Sequence, residues 1–279
     1  MPTDSPLIDS RASQLVADGV LLTATFVSLF PFLWIAWTAI KPEYLAFQPG
    51  ATNFTPTLES FRLMLARDPA LLYLLNTALL SAVTTVIALA VGGFAAYSIA
   101  RFNTGGAKTK VGFLLPIMVP PIAFSLAMFF TWDFFGIGNS RVAIVLAYMT
   151  FAIPFAVVFL TAFFEDFPSE LEEAAMVDGD TRIGAIVNVV IPNLKPAFFA
   201  TGILIFIYSW NNFIFPFLLT TDSSLRTLPV LVSTYVTSDA LLASHMAAAT
   251  IVTVVPVLIL AYFLGKYLIK GVNAESGID

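Results

Sequence analysis

Stretches free of Asp, Glu, Lys and Arg dominate the chain, and six are long: 19–40, 69–100, 111–132, 142–164, 196–221 and 246–265. A helix crossing a bilayer needs roughly 20 mostly apolar residues, because it rises 1.5 Å per residue through a ~30 Å core. Lipid satisfies no backbone polar group, so each stretch is expected to be helical. The second stretch exceeds one crossing, which predicts a span at 74–99 with an extension at one end. The pattern thus predicts an all-α membrane protein, one transmembrane domain over 1–279, with spans about 19–40, 74–99, 111–132, 142–164, 197–220 and 246–266. Pro31, Pro116, Pro120, Pro121, Pro154, Pro216 and Pro256 fall inside or at the ends of these spans. In a bundle they are expected to kink helices, with neighbours re-satisfying the backbone.

Six crossings place both termini on one side. The short 101–110 connection carries Arg101, Lys108 and Lys110 and no acid, and Lys266 and Lys270 follow the last span. The positive-inside rule puts these regions, and both termini, in the cytoplasm. Arg11, Arg182 and Lys195 then also lie inside, while Lys41, Arg62, Arg67, Arg141 and Arg226 lie outside. The outer segments are 41–73, 132–141 and 222–245, and the long inner segment is 165–195.

Charged residues make up 11% of the chain, against about 25% in soluble domains. There is no cysteine, which excludes disulfides and thiolate metal sites. The single histidine, His245, leaves little room for metal or acid–base chemistry, and it reads as an interfacial residue rather than a ligand. A net charge of −5 argues against nucleic acid, which needs a basic stripe. Asp4 and Asp9 precede Arg11, so the N-terminus does not read as a secretory signal and the first span is expected to be retained.

The inner segment is the most specific part of the chain. Ser169 followed by Glu172 is a capping-box pattern, with the hydroxyl bonding forward and the carboxylate reaching back. Glu170, Glu172 and Glu173 lie in the first turn, where the helix dipole favours them. Gly179 suits a helix stop. The pattern predicts a helix over about 170–178 and a second over about 181–190, ending near Pro192. Leu171, Ala174, Ala175 and Asp178 share a face of the first helix, made thin by its alanines. Such a helix fits a groove on another protein. It fits equally a surface helix with a solvated acidic face.

Glu173-Ala174-Ala175, three residues, Gly179, nine residues, then Val189-Val190-Ile191-Pro192 resembles the cytoplasmic "EAA" loop of binding-protein-dependent ABC importer permeases. That loop reads E-A-A, three residues, G, nine residues, I-x-L-P. Asp180 departs from the small residue common after the glycine. The resemblance extends over nearly the whole chain and is to maltose-type carbohydrate permeases. It rests also on Lys41-Pro42, Pro56-Thr57-Leu58-Glu59, Asn76-Thr77, Gly93 through Arg101 (GFAAYSIAR), Trp210-Asn211-Asn212-Phe213 and Lys270-Gly271.

The resemblance implies a permease that pairs with a second permease, sits on an ATPase dimer and receives substrate from an extracytoplasmic solute-binding protein, in the cytoplasmic (inner) membrane of a bacterium or archaeon. By position, Glu173, Ala174, Ala175, Asp178, Gly179 and Pro192 become the ATPase-coupling residues. ATP and Mg would be bound by the partner, with no cofactor in this chain. No G-x-x-x-x-G-K-[ST] occurs, and Gly105-Gly106-Ala107-Lys108-Thr109 reads as a loop turn.

Asn211 lies fifteen residues beyond Pro196, hence roughly 22 Å up a ~30 Å core. Tyr208, Trp210, Asn211 and Asn212 are candidate substrate-path residues, since amides suit hydroxyl-rich ligands and aromatic faces suit sugar rings. Equally, the asparagines could bond across helices. Asn76 reads as a helix cap or interhelical bond, and Gly92 and Gly93 as close-packing positions. Within the same class, the substrate could instead be glycerol phosphate, a polyol or another small polar solute. A secondary transporter is the rival from another class, but its ion coupling uses intramembrane carboxylates or broken-helix sites, and the six spans hold no acid.

Overall fold

The computed structural model describes residues 11–236 and 242–276, with side chains over 14–236 and 242–263. Asp4, Asp9 and the side chains of Arg11, Lys266 and Lys270, which bear on the termini, lie outside what is described. The chain divides into two compact units, one comprising residues 1–68 and 235–252, the other 69–234 and 253–279.

In the first unit, helix α1 (Arg11–Ala39) is free of charge beyond Asp18 and contains Pro31. Nearly all its side chains are exposed, as expected of a surface that lies against lipid or another subunit. A short 3₁₀ turn (Glu43–Leu45) and helix α2 (Glu59–Arg67) follow. Ala39, Ala247 and Ala248 are buried together against Phe61 and Ile251. Lys41 is buried, donates to the Gln48 carbonyl and sits over the rings of Trp34 and Phe54. His245 pairs with Glu43 at 2.9 Å, a structural contact.

The second unit is built on two long helices that run parallel, the start of one beside the start of the other and end beside end. Helix α3 (Ala70–Phe102) is longer than one core crossing, and it extends past the predicted span at both ends. Helices α4 (Gly106–Met118) and α5 (Pro121–Phe134) lead to α6 (Arg141–Asp166), which Ser140 caps through the Ala143 amide. Ala88, Ala152 and Ala156 are fully buried where α3 meets α6. Gly92 lets the backbones approach: a Cβ there would lie 2.5 Å from that of Ala156. Small residues permit this approach where no hydrophobic force drives helices together. Gly105-to-Thr109 is not a free turn, because α4 already begins at Gly106.

Two apolar stretches are broken rather than kinked. Helices α4 and α5 meet at 90°, where Pro120 and Pro121 supply no backbone donor. After α6 come α7 (Ser169–Val177), α8 (Arg182–Ala185), a π turn (Ile186–Val190) and α9 (Ile191–Asn193). Helix α10 (Lys195–Trp210) leaves this segment at 77°. The chain breaks again before α11 (Ile214–Leu219), then passes through a 3₁₀ turn (Ser223–Leu225) to α12 (Leu228–Thr234). Helix α13 (Ala243–Ser276) closes the chain. Among the described residues, four helices are long and apolar enough to cross a membrane, or up to six elements if each bent pair counts as one span.

Candidate functional site

Helix α7 follows α6 after only Phe167 and Pro168, both extended, with ψ of 128° and 122°. Its start differs from the predicted capping box. Pro168 is the N-cap residue, Ser169 lies inside the helix, and no side chain caps the terminus. Glu172 turns away from its own helix end and is buried, its side chain 3% exposed. It receives the Arg101 Nε–H at 3.1 Å and the Tyr97 hydroxyl. A charge-assisted bond in a buried setting is stronger than a solvent-exposed cap, and this accounts for the difference. Arg101 also donates to the carbonyls of Phe164 (3.0 Å) and Phe167 (2.9 Å) at the end of α6. These carbonyls have no partner within their own helix.

The far end of α7 stops as the sequence predicts. Gly179 adopts φ +100°. The Asp180 amide bonds the Ala175 carbonyl at 3.0 Å and the Gly179 amide bonds that of Met176 at 3.2 Å. This is the Schellman pair of bonds, and it places the glycine at the position that needs a left-handed residue. Asp180, the departure from the family pattern, is put to use. Its carboxylate accepts the Thr181 amide and the Asn188 side-chain amide, and it lies where a Cβ on Gly184 would be.

Between these fixed ends α7 presents an outward face. Glu173, Ala174 and Asp178 are exposed, as is Leu171 (49%), whereas Ala175 and Met176 are half-buried. Val177 is 87% exposed, and Ile183 beyond the turn is 68% exposed. The sequence reading missed Val177, although its spacing of three from Ala174 was available. Pro192 is half-buried in α9, next to the π turn. The Ile191 amide there bonds back five residues to the Ile186 carbonyl. Beneath the segment, Tyr97, Phe164, Ile186, Ile191 and Phe198 line an apolar groove of about 310 Å³.

The four substrate-path candidates are held in different ways. Trp210 is buried and its indole N–H donates to the Thr253 carbonyl at 2.9 Å. Asn211 is exposed and bonds its own helix at the Ile207 carbonyl. Asn212 is buried and its side-chain oxygen accepts the Phe215 amide, opening α11. The two asparagines therefore serve the break between α10 and α11 rather than bonding across helices. Tyr208 borders a cavity of about 240 Å³, with Pro121, Phe151, Phe155 and Leu204. Among the described residues no group of three or more His, Asp or Glu side chains could hold a metal ion.

Asn76, at the opposite end of α3 from Arg101, is an interhelical anchor. Its amide donates to the carbonyls of Ser224 and Arg226, and its oxygen accepts from Arg141 at 3.0 Å. In the same loop the Ser224 backbone amide bonds Asp222, which lowers that carboxyl below its ordinary range.

Residues 88–274 match the family described as binding-protein-dependent transport system inner membrane component. The chain is 30% identical to the sulfoquinovosyl glycerol transport system permease protein SmoH of Agrobacterium fabrum, covering 98% of this chain and 96% of the relative. It is also 30% identical to the trehalose/maltose transport system permease protein MalG of Thermococcus litoralis, over 94% and 95%. A solved bacterial ABC transporter involved in the import of the acidic polysaccharide alginate has the same fold: TM-score 0.74, 20% identity, 96% and 99% of the two chains covered. A second structure, of a bacterial alginate ABC transporter in complex with alginate pentasaccharide-bound periplasmic protein, matches at TM-score 0.66 and 16% identity, over 94% and 96%. Match and fold together make this chain a multi-pass membrane permease belonging to the family of binding-protein-dependent transport system inner membrane components.

Proposed function

We propose that the chain is one permease of an ATP-driven sugar importer and forms the translocation path with a second permease. In this reading α1, α3, the bent pair α4–α5, α6, the broken α10–α11 and α13 are six crossings of the cytoplasmic membrane, with both termini inside. Helix α7 docks on an ATPase subunit through Leu171, Glu173, Ala174, Val177 and Asp178, and Gly179 ends the docked helix. The partner binds ATP with Mg and hydrolyses the ATP, and a solute-binding protein delivers substrate from outside. The observation that carries the reading is α7 itself: a nine-residue helix fixed at both ends with an apolar face left uncovered. A face of that kind fits the helix-in-groove mode. The sugar assignment is supported by relatives named for trehalose, maltose and a sulfoquinovosyl glycoside.

The test is co-expression with a candidate ATPase, second permease and binding protein, followed by reconstitution in vesicles. ATP-dependent uptake of radiolabelled trehalose or a related glycoside is expected. Failure of the ATPase to co-purify, or uptake that persists without ATP, would overturn the proposal.

A further inference from the structure

Tyr97, Arg101 and Glu172 form a buried junction between three elements that the chain alone joins loosely. Helix α7 is connected to α6 by Phe167 and Pro168, single-chain backbone on which the short helix could pivot. At its other end the connection to α10 runs through two turns and a π segment. The Arg101 guanidinium closes the gap. One of its nitrogens holds Glu172 of α7, and the other two hold the Phe164 and Phe167 carbonyls at the end of α6. Arg101 itself belongs to the last turn of α3. Tyr97, one turn earlier, bonds the second oxygen of the same carboxylate and packs edge-on to Phe164 at 5.7 Å between ring centres. The Arg101 side chain is 12% exposed. Lys110 and Glu165, at the same end, form an ion pair that is open to solvent. Exposed pairs of this kind hold little.

We propose that this junction is a coupling clamp, and that Tyr97, Arg101 and Glu172 are positioning residues that force α7 to move as one body with the ends of α3 and α6. The idea rests on the function proposed above. A push on the outer face of α7 can reach the central helix pair through the Phe167–Pro168 link, through the α8 and π segment packed against α7, or through the clamp. The clamp is the route that ties α7 by side-chain bonds to the ends of both α3 and α6. With the carboxylate released, α7 stays docked on its partner but swings on the link, and the partner's cycle runs without driving the bundle.

The experiment uses the assembled importer in proteoliposomes. The variants are Glu172→Gln, Tyr97→Phe and Arg101→Gln, with Glu165→Gln as the control at the same end. Tyr97→Phe removes only the hydroxyl and keeps the ring contacts, so it reports even if the Arg101 variant does not fold. Three quantities are read: ATPase bound, ATP hydrolysed and solute transported per ATP. The clamp predicts normal ATPase content, retained hydrolysis and solute per ATP lowered roughly three- to thirty-fold, with the Glu165 variant unchanged. The Tyr97→Phe and Glu172→Gln pair should also be non-additive, since both act through one carboxylate. A merely structural role would lower hydrolysis and transport together, through loss of complex, at a constant ratio. That outcome, or a ratio within twofold of wild type in all three clamp variants, overturns the clamp. An absence of ATPase from the wild-type complex instead overturns the functional reading beneath it.

Discussion

Gly179 offers the cleanest perturbation, because its backbone conformation and its surroundings can be separated. It sits at φ +100°, and a Cβ there would meet nothing within 4 Å. Alanine therefore introduces no clash, only the left-handed penalty of about 1–2 kcal/mol. Asparagine visits this region more readily, so it should cost less. Proline locks φ near −65°, incompatible with +100°, and removes the amide that bonds Met176, adding about 0.5–1.5 kcal/mol for the lost bond. Glu172 anchors the start of α7, so the damage should stay at its C-terminal turn. Hydrogen exchange of the Asp180 amide, bonded to Ala175 at 3.0 Å, reports this turn directly. A cost of 1–2 kcal/mol corresponds to roughly five- to thirty-fold faster exchange in Gly179→Ala. Exchange rates should rank Gly slowest, then Asn, Ala and Pro. Solute transported per ATP should fall in the same order, with the Gly179→Pro importer still assembled in part. Exchange in Gly179→Ala within twofold of wild type, or unimpaired transport by Gly179→Pro, would refute the reasoning.

Further expectations follow from other close contacts. Gly92→Ala forces α3 and α6 apart at Ala156 and should cost about 1–3 kcal/mol, read as a lower melting temperature in detergent, while Gly112→Ala, with open space around it, should not lower it. Asn76→Ala strips the bonds to Ser224, Arg226 and Arg141. It should cost about 1–3 kcal/mol, and tryptic cleavage after Arg226 should accelerate. Gly184→Ala displaces the Asp180 carboxylate from Thr181 and Asn188. The exchange protection of the Thr181 amide should then fall, while that of Tyr97-to-Arg101 backbone amides stays unchanged.

Much of the fold was legible because lipid imposes one requirement, continuous apolar helices, that a residue count detects directly. The helix stop at Gly179 was legible for a similar reason: one backbone conformation accepts few residue types. The breaks were less so. Pro120 and Pro121 announced a disturbance, but a 90° turn and a kink share the same sequence signal. Asn211 and Asn212 looked like polar groups seeking partners across the bundle, yet they satisfy the helix ends beside them. Glu172 was misjudged because a local cap was visible in sequence and a partner 71 residues away was not. The one available hint was Tyr97 and Arg101 standing one helical turn apart at the end of a span.

The coupling role of α7 depends on where its outer face lies and what covers it. The chain has no cysteine, so a single Val177→Cys substitution gives one reporter at a residue 87% exposed. In cells and oriented vesicles, a membrane-impermeant maleimide should label it only from the cytosolic side. Assembly with the ATPase should protect it, and a short cross-linker should join it to that subunit. Labelling from the outer face, or full reactivity in the complete importer with no cross-link to the ATPase, would contradict the account.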